Sequence, residues 1–68
     1  MEMESLEYLK TLFESLLKEA EKAVDYAKEN GFPQWSIGYR EGQHDSTAFA
    51  LETINDEIER IKKSPYAK

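Results

Sequence analysis

The sequence predicts an all-α protein, a single two-helix antiparallel hairpin that dimerises into a four-helix bundle. Three observations carry that expectation. Apolar residues recur at spacings of three and four over two long stretches. A Gly-Phe-Pro sequence separates the stretches. The chain has 68 residues and no cysteine, which is too little to close a core without a metal, a disulfide or a partner.

The first helix is expected over about residues 3–30. Leu6, Leu9, Leu12, Phe13, Leu16, Leu17, Ala20, Ala23, Val24 and Ala27 share one arc about 140° wide at 100° per residue. Tyr8 and Tyr26 stand together on one shoulder of that arc. Glu7, Glu14, Lys18, Lys22, Asp25 and Glu29 form the opposite face. Glu14 and Lys18 are an i,i+4 pair of the stabilising orientation, contributing roughly 0.2–0.5 kcal/mol.

Residues 31–33 read as the turn. Gly31 suits the left-handed position just past a helix end, with Phe32 folding back on the last turn. Pro33 cannot continue the first helix and is well placed to open a second.

The second helix is expected over about residues 34–63. Its stripe is Leu51, Ile54, Ile58 and Ile61, supported by Asp56–Arg60 and Glu59–Lys63 pairs, and Ser64-Pro65 stops it. Two starts compete. One begins at Asp45-Ser46 as an N-cap, with a break near 42–46 after a turn at Gly42. The other runs unbroken from Gln34. The longer helix is favoured because a loop of a dozen residues is unusual in so small a hairpin. It also places Gly38, Gly42, Ser46 and Ala50 on one ridge of small side chains, continued by Ile54 and Ile58, against which a neighbouring backbone can approach. Each interior glycine weakens that helix by about 1 kcal/mol relative to alanine.

The turn sets the register: residues whose numbers sum to about 64 come level. Ile58 then meets Leu6, Leu51 meets Phe13, Tyr39 lies near Ala23 or Val24, and Trp35 covers the small Ala27. Two helices touch along one line only. The arc of the first helix, with Leu12 on one edge and Leu17 and Val24 on the other, is wider than one partner covers, so a homodimer is expected. Phe49 lies nearly opposite Leu51 and Ile54 and reads either as a lone exposed aromatic or as the mark of a second interface. The expected interface residues are Leu12, Leu16, Leu17, Val24, Trp35, Tyr39 and Phe49.

Charge and motifs narrow the function classes. Fourteen acidic against nine basic side chains give a net charge of −5, the wrong sign for direct contact with nucleic-acid phosphates. Lys62-Lys63 is read as compensation of a helix C-terminal dipole. No apolar run approaches the length of a membrane span, and the acidic start Met1-Glu2-Met3-Glu4 is unlike a secretion signal, so a cytoplasmic protein is expected. Glu41-x-x-His44 has the i,i+3 spacing used by carboxylate-bridged metal centres in four-helix bundles. However, Glu41 lies off the apolar stripe and no glutamate of the first helix falls inside its arc. His44-Asp45-Ser46 contains the residue types of a nucleophilic triad, but adjacent positions do not converge as that chemistry requires. Gly38-x-x-x-Gly42 lacks the following Lys-Ser or Lys-Thr of a phosphate loop. No catalytic residue and no cofactor is assigned.

The stretch Gly38-Tyr39-Arg40-Glu41-Gly42-Gln43-His44-Asp45-Ser46-Thr47-Ala48, followed by Leu51 and Ile54, resembles a pattern in small uncharacterised phage and prophage proteins of similar size, acidity and two-helix layout. The likeness covers about a third of the chain. It implies a phage-type accessory protein or an inhibitor of a host protein, and it carries no catalytic residue over. Three readings follow: a non-enzymatic homodimeric interaction module, an acidic antagonist that occupies a basic site on a nucleic-acid-acting protein, and a metal-binding bundle through Glu41 and His44.

Overall fold

The structure, a computed structural model, describes residues 3–64. Two helices pack as a hairpin: α1 is Met3–Glu29 and α2 is Gln34–Lys63. α2 is continuous through Gly38 and Gly42. Glu4 in the first turn of α1, Lys28 in its last, and Arg60, Lys62 and Lys63 in the last turn of α2 all complement the helix dipoles.

The turn is built by backbone geometry. Gly31 takes φ +65°. Its N–H donates to the Lys28 carbonyl at 3.3 Å, and the Phe32 N–H donates to the Ala27 carbonyl at 3.0 Å. These two bonds satisfy carbonyls that the end of α1 would leave orphaned. Asn30 adds a side-chain bond, Nδ2 to the Tyr26 carbonyl at 2.8 Å. α2 then begins without a side-chain cap. Pro33 occupies the cap position and its carbonyl accepts from Ser36 at 2.9 Å and Ile37 at 3.1 Å. At the other end Ser64 is extended, with φ −70° and ψ 135°, as a residue before proline must be; Pro65 itself lies outside the described residues.

The Phe32 ring joins the turn to both helices. It meets Tyr26 edge-on at 5.8 Å, and the Arg40 guanidinium lies 5.0 Å over its face. Arg40 also donates to the Ser36 carbonyl at 3.1 Å and to the Ser36 hydroxyl, which satisfies a buried serine.

The seam between the helices follows a spacing of alternating three and four. On α1 it is Leu6, Lys10, Phe13, Leu17, Ala20, Val24 and Ala27. On α2 it is Ile37, Arg40, His44, Thr47, Leu51, Ile54, Ile58 and Ile61. Each of these is buried or half-buried. Full burial is confined to the two ends: Leu6 and Ile58 at the open end, and Val24, Ala27 and Ser36 beside the turn. Between them no described side chain is buried. The Thr47 hydroxyl donates to the Gln43 carbonyl at 2.8 Å, so its place in the seam leaves no polar group unpaired.

Several expected contacts differ. Trp35 is 78% exposed and does not cover Ala27; with Phe32 folded onto Tyr26 and beneath Arg40, the turn end is already filled. The small-residue ridge does not meet α1, and Gly38 and Gly42 have nothing within 4 Å of an added Cβ. A spacing of four overshoots the 3.6-residue turn by about 40° per step. The row therefore winds from solvent at Gly38 to the seam at Ile58. Arg60 pairs with Glu57 rather than Asp56.

Replacing Gly31 by alanine is expected to cost about 1–2 kcal/mol in urea or thermal unfolding, because an L side chain resists the left-handed conformation. Ile58→Ala is expected to cost about 2–5 kcal/mol, as for a buried core aliphatic.

Candidate functional site: an unpartnered apolar face

The seam divides the hairpin into two unlike sides. One is charged. Glu21, Val24, Asp25 and Lys28 of α1 face Glu41, His44 and Asp45 of α2 across an open cleft. Lys28 Nζ lies 3.5 Å from Glu41, and His44 contacts Glu21 at 3.7 Å through Nε2 and Asp45 at 3.2 Å through Nδ1. His44 is half-buried in the seam rather than freely exposed. The sequence signal that could have found it is its place between Arg40 and Thr47 at spacings of four and three.

Glu41 and His44 turn to different partners, one a lysine and the other a glutamate. Among the described residues no three His, Cys, Asp or Glu side chains converge as a metal site would need. Ser46 lies across the helix from His44, on the other side of the seam, so His44-Asp45-Ser46 diverge. Lys28 stands here among four carboxylates, those of Glu21, Asp25, Glu41 and Asp45.

The other side is apolar. Leu16, Ala20 and Ala23 of α1 and Gly38, Tyr39, Gly42, Ser46 and Thr47 of α2 line a shallow groove. At 100° per residue two of the remaining large exposed hydrophobics lean the same way. Leu12 and Tyr26 continue the groove wall on α1, whereas Tyr8, Trp35 and Phe49 stand opposite the seam, on the backs of their helices. Of the seven exposed large hydrophobics, Tyr8, Leu12, Leu16, Tyr26, Trp35, Tyr39 and Phe49, four therefore lie on the groove side.

Of the residues expected at an interface, this face brings together Leu12, Leu16 and Tyr39, while Trp35 and Phe49 are exposed on the back of α2, opposite the seam. Leu12 is 41% exposed, Leu16 45% and Phe49 70%. Leu17 and Val24 are not on it. They point into the seam, where Val24 is buried and Leu17 half-buried, because the line of contact with α2 runs through their edge of the arc. The uncovered apolar surface thus lies wholly on the Leu12 edge.

Near the open end of this face Arg60 forms a two-pronged contact with Glu57, its Nε donating to Oε2 at 3.1 Å and its Nη2 to Oε1. Hydrogen bonding from Arg60, followed by its charge, holds the Glu57 carboxyl below the usual carboxylate range. The same contact raises the Arg60 guanidinium. Both groups are solvated, so the pair orders a surface rather than anchoring the fold.

No described helix is long and apolar enough to cross a membrane. Comparison of the chain with family models, with curated proteins and with solved structures finds no match.

Two outcomes test this geometry. In a carboxyl NMR titration, Glu57 is expected to lose its proton below the usual carboxylate range, and Arg60→Gln is expected to return it toward that range. A carboxyl lowered in this way favours the folded chain while ionised and loses that preference as pH falls through its titration. In dilute solution Leu16→Ala is expected to destabilise the hairpin less than Ile58→Ala, since Leu16 is already half in water in the single chain.

Proposed function

We propose that the chain is a small acidic, non-enzymatic protein–protein interaction module that acts as a homodimer, two hairpins forming a four-helix bundle. One observation carries this reading: Leu12, Leu16, Tyr26 and Tyr39, all exposed, lean to the same side of the hairpin, where Leu16 and Tyr39 line a shallow groove. Scattered apolar residues are ordinary on a protein surface, but four large ones on one face, two of them Tyr, suit an interface core. The charged opposite side supplies solubility and stays outside the bundle.

Mass action supplies the test. Light scattering coupled to size exclusion, over a dilution series, is expected to give a mass near twice the 7.9 kDa chain that falls on dilution. The melting temperature is expected to rise with protein concentration, because association stabilises only the folded chain. A single-chain mass throughout, with a melting temperature independent of concentration, would overturn the homodimer.

A further inference from the structure

We infer that the dimer surface is the outer and groove-facing side of α2 from Trp35 to Thr53, so that a second copy covers the part of this helix that α1 leaves free. This rests on the homodimer reading and names the surface that carries it.

The surface is defined by where the charges of α2 stand. At 100° per residue Arg40, Glu41, Asp45 and Glu52, together with His44, fall in the half of the helix that faces the seam and the charged cleft. The arc away from them, about 140° wide, holds Trp35, Gly38, Tyr39, Gly42, Ser46 and Phe49 and no charged side chain. All six are exposed; Trp35 is 78% exposed, Tyr39 63% and Phe49 70%. Charges return to the arc at Asp56 and Arg60, which sets its end. α1 offers no counterpart, because the same periodicity puts Glu4, Lys18, Lys22 and Glu29 on its outer face.

Charge and area both support a second copy as the occupant. A two-fold interface sets one patch against the same patch of its partner. In a chain of net charge −5, a face rich in carboxylates would then meet carboxylates. The charged cleft, with Glu21, Asp25, Glu41 and Asp45 around Lys28, is such a face. The arc of α2 is not, since two copies of it bring no like charges together. The chain exposes 5369 Å² of surface, whereas a compact folded monomer of the same mass exposes about 4,400 Å². The excess is roughly 1,000 Å², close to the ~800 Å² that each partner contributes to an interface of standard size. The hairpin is 52 Å long, and residues 35–53 run along about 28 Å of it.

The side chains on the arc suit close contact. Aromatic residues are enriched at interface centres. Gly38 and Gly42 lie between Trp35 and Phe49, and nothing stands within 4 Å of an added Cβ at either. They leave a shallow stretch between two large side chains, where a neighbouring helix can come near.

Trp35 is the one tryptophan of the chain, so its fluorescence reports directly on whether the arc is covered. Emission and solution mass would be followed over one concentration series for the native chain, Gly42→Leu, Phe49→Ser and Tyr8→Ser. Native emission is expected to move to shorter wavelength, and its quenching by acrylamide to fall, in step with the rise in mass. In the single hairpin Gly42→Leu has room and removes a helix-weakening glycine, so helicity by circular dichroism is expected to hold or rise. The same change is expected to weaken the dimer by about 10- to 100-fold, as overpacking does. Phe49→Ser, at a site the hairpin leaves exposed, is expected to weaken it by about as much. Tyr8→Ser removes an equally exposed aromatic from the back of α1 and is expected to leave the dimer unchanged.

A native dimer whose Trp35 emission does not change on association, and which Gly42→Leu and Phe49→Ser leave intact, would overturn this surface while the homodimer reading stands. Weakening by Tyr8→Ser alone would do the same and move the interface to α1. A native chain that is monomeric at every concentration would remove the homodimer reading, and this inference with it.

Discussion

Two helices touch along a line, and a side chain on that line is covered by its neighbour yet open to water above and below. This limit governs the whole molecule. It explains why, of fifteen seam positions, only Leu6, Val24, Ala27 and Ile58 are buried, and why Phe13, Leu17, Leu51 and Ile54 remain half-exposed. It also explains why Lys10, Arg40, His44 and Thr47 are tolerated at seam positions. From a line contact the polar end of a long side chain still reaches solvent or a neighbouring carboxylate, as the His44–Glu21 contact at 3.7 Å shows. An enclosed core would have excluded these residues unless they were fully paired.

The line needs a fixed register, and the closed end supplies it. Gly31 in the left-handed conformation, the Phe32–Ala27 backbone bond and the Arg40–Phe32–Tyr26 stack set how α2 leaves α1. At the open end Leu6 and Ile58 are both buried. The middle of the hairpin has neither device. It holds the seam's half-buried residues and, beside them on one flank, Leu12 and Leu16 in partial contact with water.

Much of this was legible in the sequence because the signals are local. Gly31 and Phe32 mark a helix end through backbone geometry that few other residues satisfy, and the spacing of leucines along α1 fixes a helix and the width of its arc. What was not legible is which part of a wide arc the second helix chooses. α1 carries two adjacent apolar stripes, one through Leu6, Phe13, Leu17 and Val24 and the other through Leu9, Leu12, Leu16 and Ala23. Periodicity cannot rank them. The choice depends on how α2 leaves the turn, and it sends Val24 inward and Leu16 outward. The ridge of small residues failed for a related reason: a spacing of four looks straight in a sequence and drifts on a helix. Trp35 was placed over Ala27 by size complementarity alone, although Phe32 was nearer in the chain and was held there by Arg40.

The glycines give the seam and the open face a common explanation. Gly38 and Gly42 stand in the interior of a continuous helix, where each weakens it by about 1 kcal/mol relative to alanine. The usual compensations are missing in the single chain: neither has positive φ, and no neighbouring atom lies where a Cβ would stand. Within one hairpin, alanine at both positions would be the better choice, so the helix carries a local weakness that the monomer does not use. Such departures from local preference mark places where another constraint acts. Both glycines line the groove, beside Leu16 and Tyr39. If a second body approaches there, the absent Cβ atoms leave room for it, and the weakness of the isolated helix becomes the condition for close packing in the assembly.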